Sequence, residues 1–436
     1  MELPGYRFEP LVLALVALAA LPVVNVSNPQ DGTRYELTRH LVLHHSLTVE
    51  PTLFDRSVYG GRTYSDKAPG VSFLAVPAYM VERAAGAARA PRGWEREGDL
   101  SLWGIRLATS GLLFLGTVFL LGRAAERLVT GTGAATAAVF GTATLAAPLA
   151  PTLFEQDAAA FWAFAGFLLA WRQRGPRRLA LAGLALGIGV LFDYAVGLAV
   201  LAVGAYAAVG AGRRAGWLLL GLVPPALALG AYDRAAFGSP FHLSYRYVAN
   251  RYAEGQHRGF FGIGVPTLDG LRDVLFVDRG LLVLSPVLAA AALGLWLMWR
   301  RGHRGEAAVA AAVTVGFVVA DAGYFLPYGG NSPGARFAAP ALPFLLLGLP
   351  FALLRFPRGT LALAAVSVVL TIGDALTWGL RREDDRWYPG RGTSDLAKTV
   401  WVWLGVNRLV GAAVVFLCAG AALAVGAQRL YRTALP

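Results

Sequence analysis

LALAGLALGIGVLFDYAVGLAVLAVGAYAAVGAGRRAGWLLLGLVPPALALGAY occupies residues 179–232. Its only charges are Asp193, Arg213 and Arg214, which divide it into apolar runs at 179–192, 194–211 and 216–232. Inside a bilayer a backbone must satisfy its own polar groups, so such runs read as helices. A full crossing needs about 20 residues, and the shorter runs are expected to tilt, break or stop short. Asp193 sits between two of them, where an unpaired charge is expensive, so it should line a polar cavity or cap a helix break.

Ten further apolar segments lie at about 10–26, 70–88, 101–122, 131–150, 158–170, 281–298, 306–326, 337–354, 360–380 and 400–425. The expected fold is therefore all-α, a polytopic integral membrane protein with about 12–13 transmembrane helices. Composition agrees. Of 436 residues, 56% are hydrophobic and 15% charged, against roughly 25% charged in a soluble domain. That excludes a soluble enzyme, a nucleic-acid binder and a secreted disulfide scaffold; the single cysteine, Cys418, lies in an apolar run. The first segment resembles a signal peptide in length, but Glu2 and Glu9 beside Arg7 favour a retained helix.

The net charge of +12 sits in short turns. Arg172, Arg174, Arg177 and Arg178 mark one, Arg213 and Arg214 a second, Arg300, Arg301 and Arg304 a third, and Arg355 with Arg358 a fourth. Basic turns are cytoplasmic by the positive-inside rule. The outer loops are then 151–157, 233–280, 327–336 and 381–399, and 27–69 is outside as well if the first helix enters with its N-terminus in the cytoplasm. Two modules are expected: 1–215, with the first outer loop 27–69, and 216–436, with outer loops 233–280, 327–336 and 381–399. Three segments (70–88, 101–122 and 131–150) separate two outer regions, and three crossings cannot return the chain to its starting side. One of them should be non-crossing or re-entrant.

Chemistry is expected on the outer face. Residues 28–42 read NPQDGTRYELTRHLV. Tyr35, Leu37, Leu41 and Val42 fit a short amphipathic helix at the interface. In one reading Asp31 is its N-cap, with Arg34, Glu36 and Arg39 as solvated charges; in the other Asp31 is catalytic, and the two roles can coincide. Residues 61–70, GRTYSDKAPG, precede an apolar run. Here Tyr64, Asp66 and Lys67 either anchor the chain at the interface or bind a phosphate at headgroup depth. Lys67 and Lys398 are the only lysines among 39 basic residues, and a lysine offers a compact ammonium charge where arginine is otherwise habitual.

His40, His44 and His45 have an i, i+4 metal-like spacing without a glutamate between them, and a solvated helix face explains them better. Glu155-Gln156-Asp157 serves equally as acid at a helix N-terminus or as a second carboxylate of a site. Tyr245-Arg246-Tyr247, Gln256-His257-Arg258 and Arg336-Phe337 place arginine or histidine beside aromatics, which suits a sugar stacked on a ring and a phosphate gripped by a fork.

Asp31-Gly32-Thr33-Arg34-Tyr35 through Arg39 resembles the first-loop D-E-x-R-Y…R motif of the aminoarabinose transferases and protein O-mannosyltransferases. These are GT-C class glycosyltransferases that use lipid carriers; Gly32 replaces their second acid. Tyr64-Ser65-Asp66-Lys67-Ala68-Pro69-Gly70 looks like their acid-Lys-Pro-Pro motif, with alanine for the first proline. Gly334-Ala335-Arg336-Phe337…Pro340 through Pro343 resembles the Gly-Pro-Arg-Tyr/Phe segment of bacterial membrane proteins of that class.

The resemblance implies a GT-C-like fold with short interfacial helices in a long first outer loop. It implies inverting transfer of a sugar from a polyprenyl-phosphate donor to a glycan, lipid or protein acceptor at the outer face of the cell membrane. Asp31 would be the base or orient the acceptor, and Lys67 with Arg336 would hold the donor phosphate. Arg34, Tyr35, Glu36, Tyr64, Asp66, Asp157, Tyr245 and His257 would support or bind substrate. No cofactor is specified, and a divalent metal stays open. Partners are the carrier, the acceptor and membrane lipids, with no nucleic acid. The alternatives are a transporter or flippase of lipid-linked sugars, for which Asp193 and Asp321 are mid-span candidates, and a non-catalytic cell-envelope assembly protein.

Overall fold

A computed structural model describes residues 10–25, 28–88, 100–277, 279–327, 329–330, 332–377 and 396–434. Among the described residues the chain is all-α apart from two short antiparallel pairs. Helices α1 (Pro10–Ala20), α2 (Pro29–Leu43) and α3 (Gly70–Ala84) are followed by α4 (Trp103–Leu128), α5 (Gly133–Thr142), α6 (Gln156–Ala170) and α7 (Pro176–Phe192). Next come α8 (Gly197–Ala211), α9 (Gly216–Phe237), α10 (Leu268–Phe276), α11 (Val287–Arg300) and α12 (Arg304–Ala322). The set closes with α13 (Arg336–Arg355), which has 3₁₀ turns, α14 (Pro357–Ala375) and α15 (Arg408–Thr433). Residues 381–395 of the last expected outer loop lie outside the described residues.

Among the described residues six helices are long and apolar enough to cross a membrane, or up to seven if a bent pair forms one span. One of the six, Tyr194–Phe237, has 44 residues. At 1.5 Å per residue it would extend about 66 Å, twice a hydrocarbon core of about 30 Å. Gly212, with a φ of +57°, turns the backbone beside Arg213 and Arg214 and separates α8 from α9. α1, α5 and α6 are apolar but only 11, 10 and 15 residues long. The thirteen apolar segments therefore do not all become full-length spans. Val209 on α8 and Leu219 on α9 are exposed, as lipid-facing side chains of a membrane bundle should be.

The four basic turns share one end of the bundle. Arg172 pairs with Glu306 at 2.5 Å, its backbone N–H donates to the Tyr206 hydroxyl of α8 at 3.0 Å, and His303 packs against Phe351 near Arg355. The segment that breaks the count of crossings is 70–88. α3 starts at Gly70, where a Cβ would lie 2.6 Å from the Leu191 carbonyl at the far end of α7. It finishes with Glu82 against Gly104. The neighbouring Trp103 Nε1 donates to Leu21 O, at 2.9 Å, beyond the end of α1. Both ends of α3 therefore lie opposite the basic turns, and α3 does not cross.

α2 departs from the expected interfacial helix with a solvated charged face. Every residue from Asp31 to Thr38 is buried, because α2 packs under α3: Thr38 Oγ1 donates to Ser72 O and Ser72 Oγ to Arg34 O, both at 3.0 Å. The N-cap is Asn28, not Asp31. Asn28 Oδ1 accepts from the N–H of Gln30 and Asp31, and Asp31 answers from the third helical position as a capping box. The strands β1 (Val23–Val24), β2 (Ser57–Tyr59), β3 (Arg62–Tyr64) and β4 (Lys398–Thr399) pair as β1–β4 and β2–β3. Gly60 and Gly61 join β2 to β3 with φ of +55° and +74°, the two-residue turn that needs left-handed backbone twice.

α7 and α9 touch backbone to backbone. A Cβ on Gly183 would lie 1.9 Å from Leu218 O, and one on Gly221 the same distance from Ala180 O. Small residues allow this approach, which is how apolar helices associate in lipid. Gly221→Val is expected to lower the thermal unfolding temperature in detergent by the equivalent of about 1–3 kcal/mol, since neither carbonyl can move aside. Gly204→Val, with open space around it, is expected to have no such effect.

Candidate active site

At the bundle end opposite the basic turns, a polar cavity of about 100 Å³ opens between the N-terminus of α2, the 44–69 loop, the start of α6 and the loop before α13. Asp55, Asp66, Lys67, Glu155 and Arg336 bring charge to its wall, and Tyr245, Gln256 and Tyr324 bring polar groups. Below it lies a cavity of about 1050 Å³, lined mostly by apolar residues of α7, α8, α9 and α12. Glu155, Tyr245, Tyr324 and Phe337 belong to the walls of both. A polar chamber thus stands over an apolar one.

Lys67 follows the β2–β3 hairpin, and its ammonium lies 3.0 Å from Asp66 Oδ2 and 3.4 Å from Asp55 Oδ2. Burial works against its charge, but the two carboxylates outweigh burial and hold its pKa above the usual lysine range. Ser244 Oγ donates to the Asp66 carbonyl at 3.0 Å and fixes the turn from outside. Asp66 Oδ1 has no hydrogen-bond partner. Burial pushes the Asp66 carboxyl up to about 6 against the pull of Lys67, with Asp55 adding to the rise. The native state therefore holds this proton more tightly than the unfolded chain, whose aspartates titrate near 3.9. Its contribution to stability is full below about pH 4 and lost as pH rises through about 6.

Arg336 opens α13 at 1% exposure. Its guanidinium stacks between the rings of Phe154 and Phe337, 4.6 and 4.3 Å from their centroids. Nη2 donates to Gly329 O at 3.2 Å, while Nε and Nη1 have no hydrogen-bond partner; Glu155 Oε1 is 3.6 Å from Nη1. Gly329 has a φ of +65° and passes so close that a Cβ there would lie 2.6 Å from Arg336 Nη2. Glu155 is also bound by Arg34 from behind and by Gln156 Nε2 at 2.9 Å.

The structure thus gathers Asp66, Lys67, Arg336 and Tyr245 on one wall, with Arg34 one ion pair behind them. Asp31 is not on that wall. It is fully buried; Oδ2 accepts from Arg106 Nη2 at 2.5 Å and Asn28 Nδ2 at 3.0 Å, and Oδ1 from the Leu153 N–H at 2.9 Å. Tyr35 packs edge-on against Tyr79, Tyr64 lies tilted against Phe237, and Glu36 pairs with Arg39. Asp157 is buried in the first turn of α6 and lines neither cavity. His257 is exposed, because the single turn 253–256 aims Gln256 inward instead, where it accepts from the Tyr324 hydroxyl at 2.7 Å. Asp193 caps a helix break as expected, accepting from the Ala195 N–H at 2.9 Å.

No protein-family model matches the chain, and no curated protein does. Solved structures do. ArnT from Cupriavidus metallidurans in the apo state matches with a TM-score of 0.55 at 16% identity, over 96% of this chain and 75% of that one. The oligosaccharyltransferase of Archaeoglobus fulgidus in complex with Zn and sulfate matches with a TM-score of 0.52 at 16% identity, over 84% of this chain and 53% of that one. Both are GT-C glycosyltransferases. This chain has a GT-C-like fold. It spans three quarters of the first protein's length and about half of the second's.

Arg106, Asp55 and Tyr324, at or behind the candidate site, go unmarked in the sequence reading, and Glu155 enters it only within the acidic cluster that supplies Asp157; the start of α6 at Gln156 decides which of the two acids faces the chamber. Arg106, an arginine in an apolar segment, was the signal for a buried acid partner. Asp55 and Tyr324 carried no distinguishing local pattern.

Proposed function

We propose that this chain is a membrane glycosyltransferase that moves a sugar from a polyprenyl-phosphate donor to an acceptor. The observation that carries the reading is Arg336, buried with two N–H groups lacking acceptors, on the same chamber wall as Lys67 and directly above an apolar cavity. The carrier chain occupies the apolar cavity, the phosphate lies between Lys67 and Arg336, and the sugar projects into the polar chamber. Basic turns at the opposite end support an outer-face position for the chamber.

The donor already holds a good leaving group, so the protein must supply charge stabilisation and a base. Lys67 and the Arg336 fork stabilise the departing phosphate. Asp66, a chamber-lining residue whose Oδ1 has no hydrogen-bond partner, takes the proton of the acceptor hydroxyl as it attacks the anomeric carbon from the side opposite the phosphate, which inverts that centre. Asp31 acts through others: it holds Arg106 and the 152–155 turn that presents Glu155. kcat/KM is expected to fall about tenfold per pH unit below pH 6, where Asp66 gains its proton, and to level off above. Asp66→Asn should remove both the activity and this acid limb, whereas a structural Asp66 would leave the limb in place.

A second reading has one observation of its own. Asp233 and Asp321, buried and without hydrogen-bond partners, line the apolar cavity with Asp193, as a translocation path for polar cargo would require. Transfer of radiolabelled sugar from the carrier to acceptor, against movement of intact carrier between leaflets, separates the two.

A further inference from the structure

Away from both cavities, Glu36 and His40 on α2 meet Glu50 of the following loop, their three donor atoms all within 4.8 Å of one another. His40 Nε2 is 3.7 Å from Glu36 Oε2 and 3.5 Å from Glu50 Oε1. These gaps are long for hydrogen bonds. They match the separation of about 3.4 Å between two ligands of a tetrahedral ion with bonds of about 2.1 Å. His40 is only 9% exposed, and neither of its ring nitrogens has a hydrogen-bond partner. Burying an imidazole unsatisfied at both nitrogens is costly unless something else engages it.

The two carboxylates already hold a cation. Arg39 Nε is 2.9 Å from Glu36 Oε2, and Arg39 Nη2 is 3.4 Å from Glu50 Oε1. The Arg39 side chain is 22% exposed and Glu50 47%, so the guanidinium has a path to solvent.

We propose that Glu36, His40 and Glu50 form a binding site for a divalent transition-metal ion, with Arg39 as the internal cation it displaces. One imidazole and two carboxylates suit zinc or cobalt, with water completing the shell, whereas calcium and magnesium favour oxygen alone. The ion ties the 46–50 strap to α2, the helix whose first turn borders the polar chamber. It sits apart from the proposed donor site, and its test does not depend on glycosyl transfer.

The test uses the full chain in detergent, without a polyhistidine tag and stripped with chelator, titrated with Co²⁺ while visible absorption is recorded. One equivalent should bind with a tetrahedral spectrum and be displaced by Zn²⁺, and Zn²⁺ should raise the thermal unfolding temperature. His40→Ala should weaken binding by an order of magnitude or more, while Lys67→Ala leaves it unchanged. Arg39→Gln, which keeps all three ligands, should tighten it. Absence of saturable binding at one equivalent in the wild type, equal affinity in a folded His40→Ala, or no tightening in Arg39→Gln would each overturn the site.

Discussion

Lys67→Ala is expected to lower kcat/KM for a polyprenyl-phosphate sugar by about 100- to 1000-fold, the usual consequence of removing one preorganised group that stabilises developing charge. The ammonium stands between Asp55 and Asp66 on the chamber wall, so a phosphate can recruit it without moving the backbone. The chain should stay folded. Lys67 is what pulls the Asp66 pKa down, so without it Asp66 keeps its proton and the two acids do not repel. Lys67→Arg should recover only part of the activity, because a planar fork does not replace a point charge. Circular dichroism and thermal unfolding check the fold, and initial rates with labelled donor check the activity.

Asp31→Ala is expected to act on stability first. Asp31 and Arg106 are both 0% exposed and pair at 2.5 Å. Removing the carboxylate leaves a buried guanidinium charge without its counter-ion, at a cost of about 3–5 kcal/mol. The sequence reading of Asp31 as a catalytic acid implies the opposite, loss of transfer with the fold spared. Asp31→Leu combined with Arg106→Met should recover most of the lost stability, because an apolar pair of similar volume avoids the uncompensated charge. Thermal unfolding of the single and double variants in detergent decides it. An Asp31→Ala chain that unfolds like the wild type yet transfers no sugar would instead place Asp31 directly on the substrate.

Much of this architecture is legible in the sequence because hydrocarbon imposes strong rules. Asp193 between the first and second of three apolar runs, and Arg213 with Arg214 between the second and third, identify a helix break and a turn without any tertiary knowledge. The arithmetic of crossings shows that one of three segments stays on its own side. It cannot show that the one is 70–88, which depends on Glu82 meeting Gly104 and on Gly70 meeting Leu191.

The site divides in the same way. Lys67, Asp66 and Arg336 stand out by residue type and motif, and the fold brings them together. Helix phase and packing decide the others. Glu155 faces the chamber and Asp157 does not because α6 begins between them. Gln256 replaces His257 because a single turn rotates by one residue. Asp31 is withdrawn from the wall because Arg106, 75 residues away, meets it inside the bundle. Those facts are tertiary, and no local pattern encodes them.

The most direct test of the central claim, that the phosphate of a lipid-linked donor lies between Lys67 and Arg336, is single-turnover transfer by purified protein in lipid. Radiolabelled polyprenyl-phosphate sugars and a membrane extract as acceptor would be supplied to the wild type, Lys67→Ala and Arg336→Ala. The account predicts that the wild type moves sugar off the carrier and that each folded variant does so at least about 100-fold more slowly. Turnover at the wild-type rate in both variants, or carrier bound by the wild type and never cleaved, would contradict it.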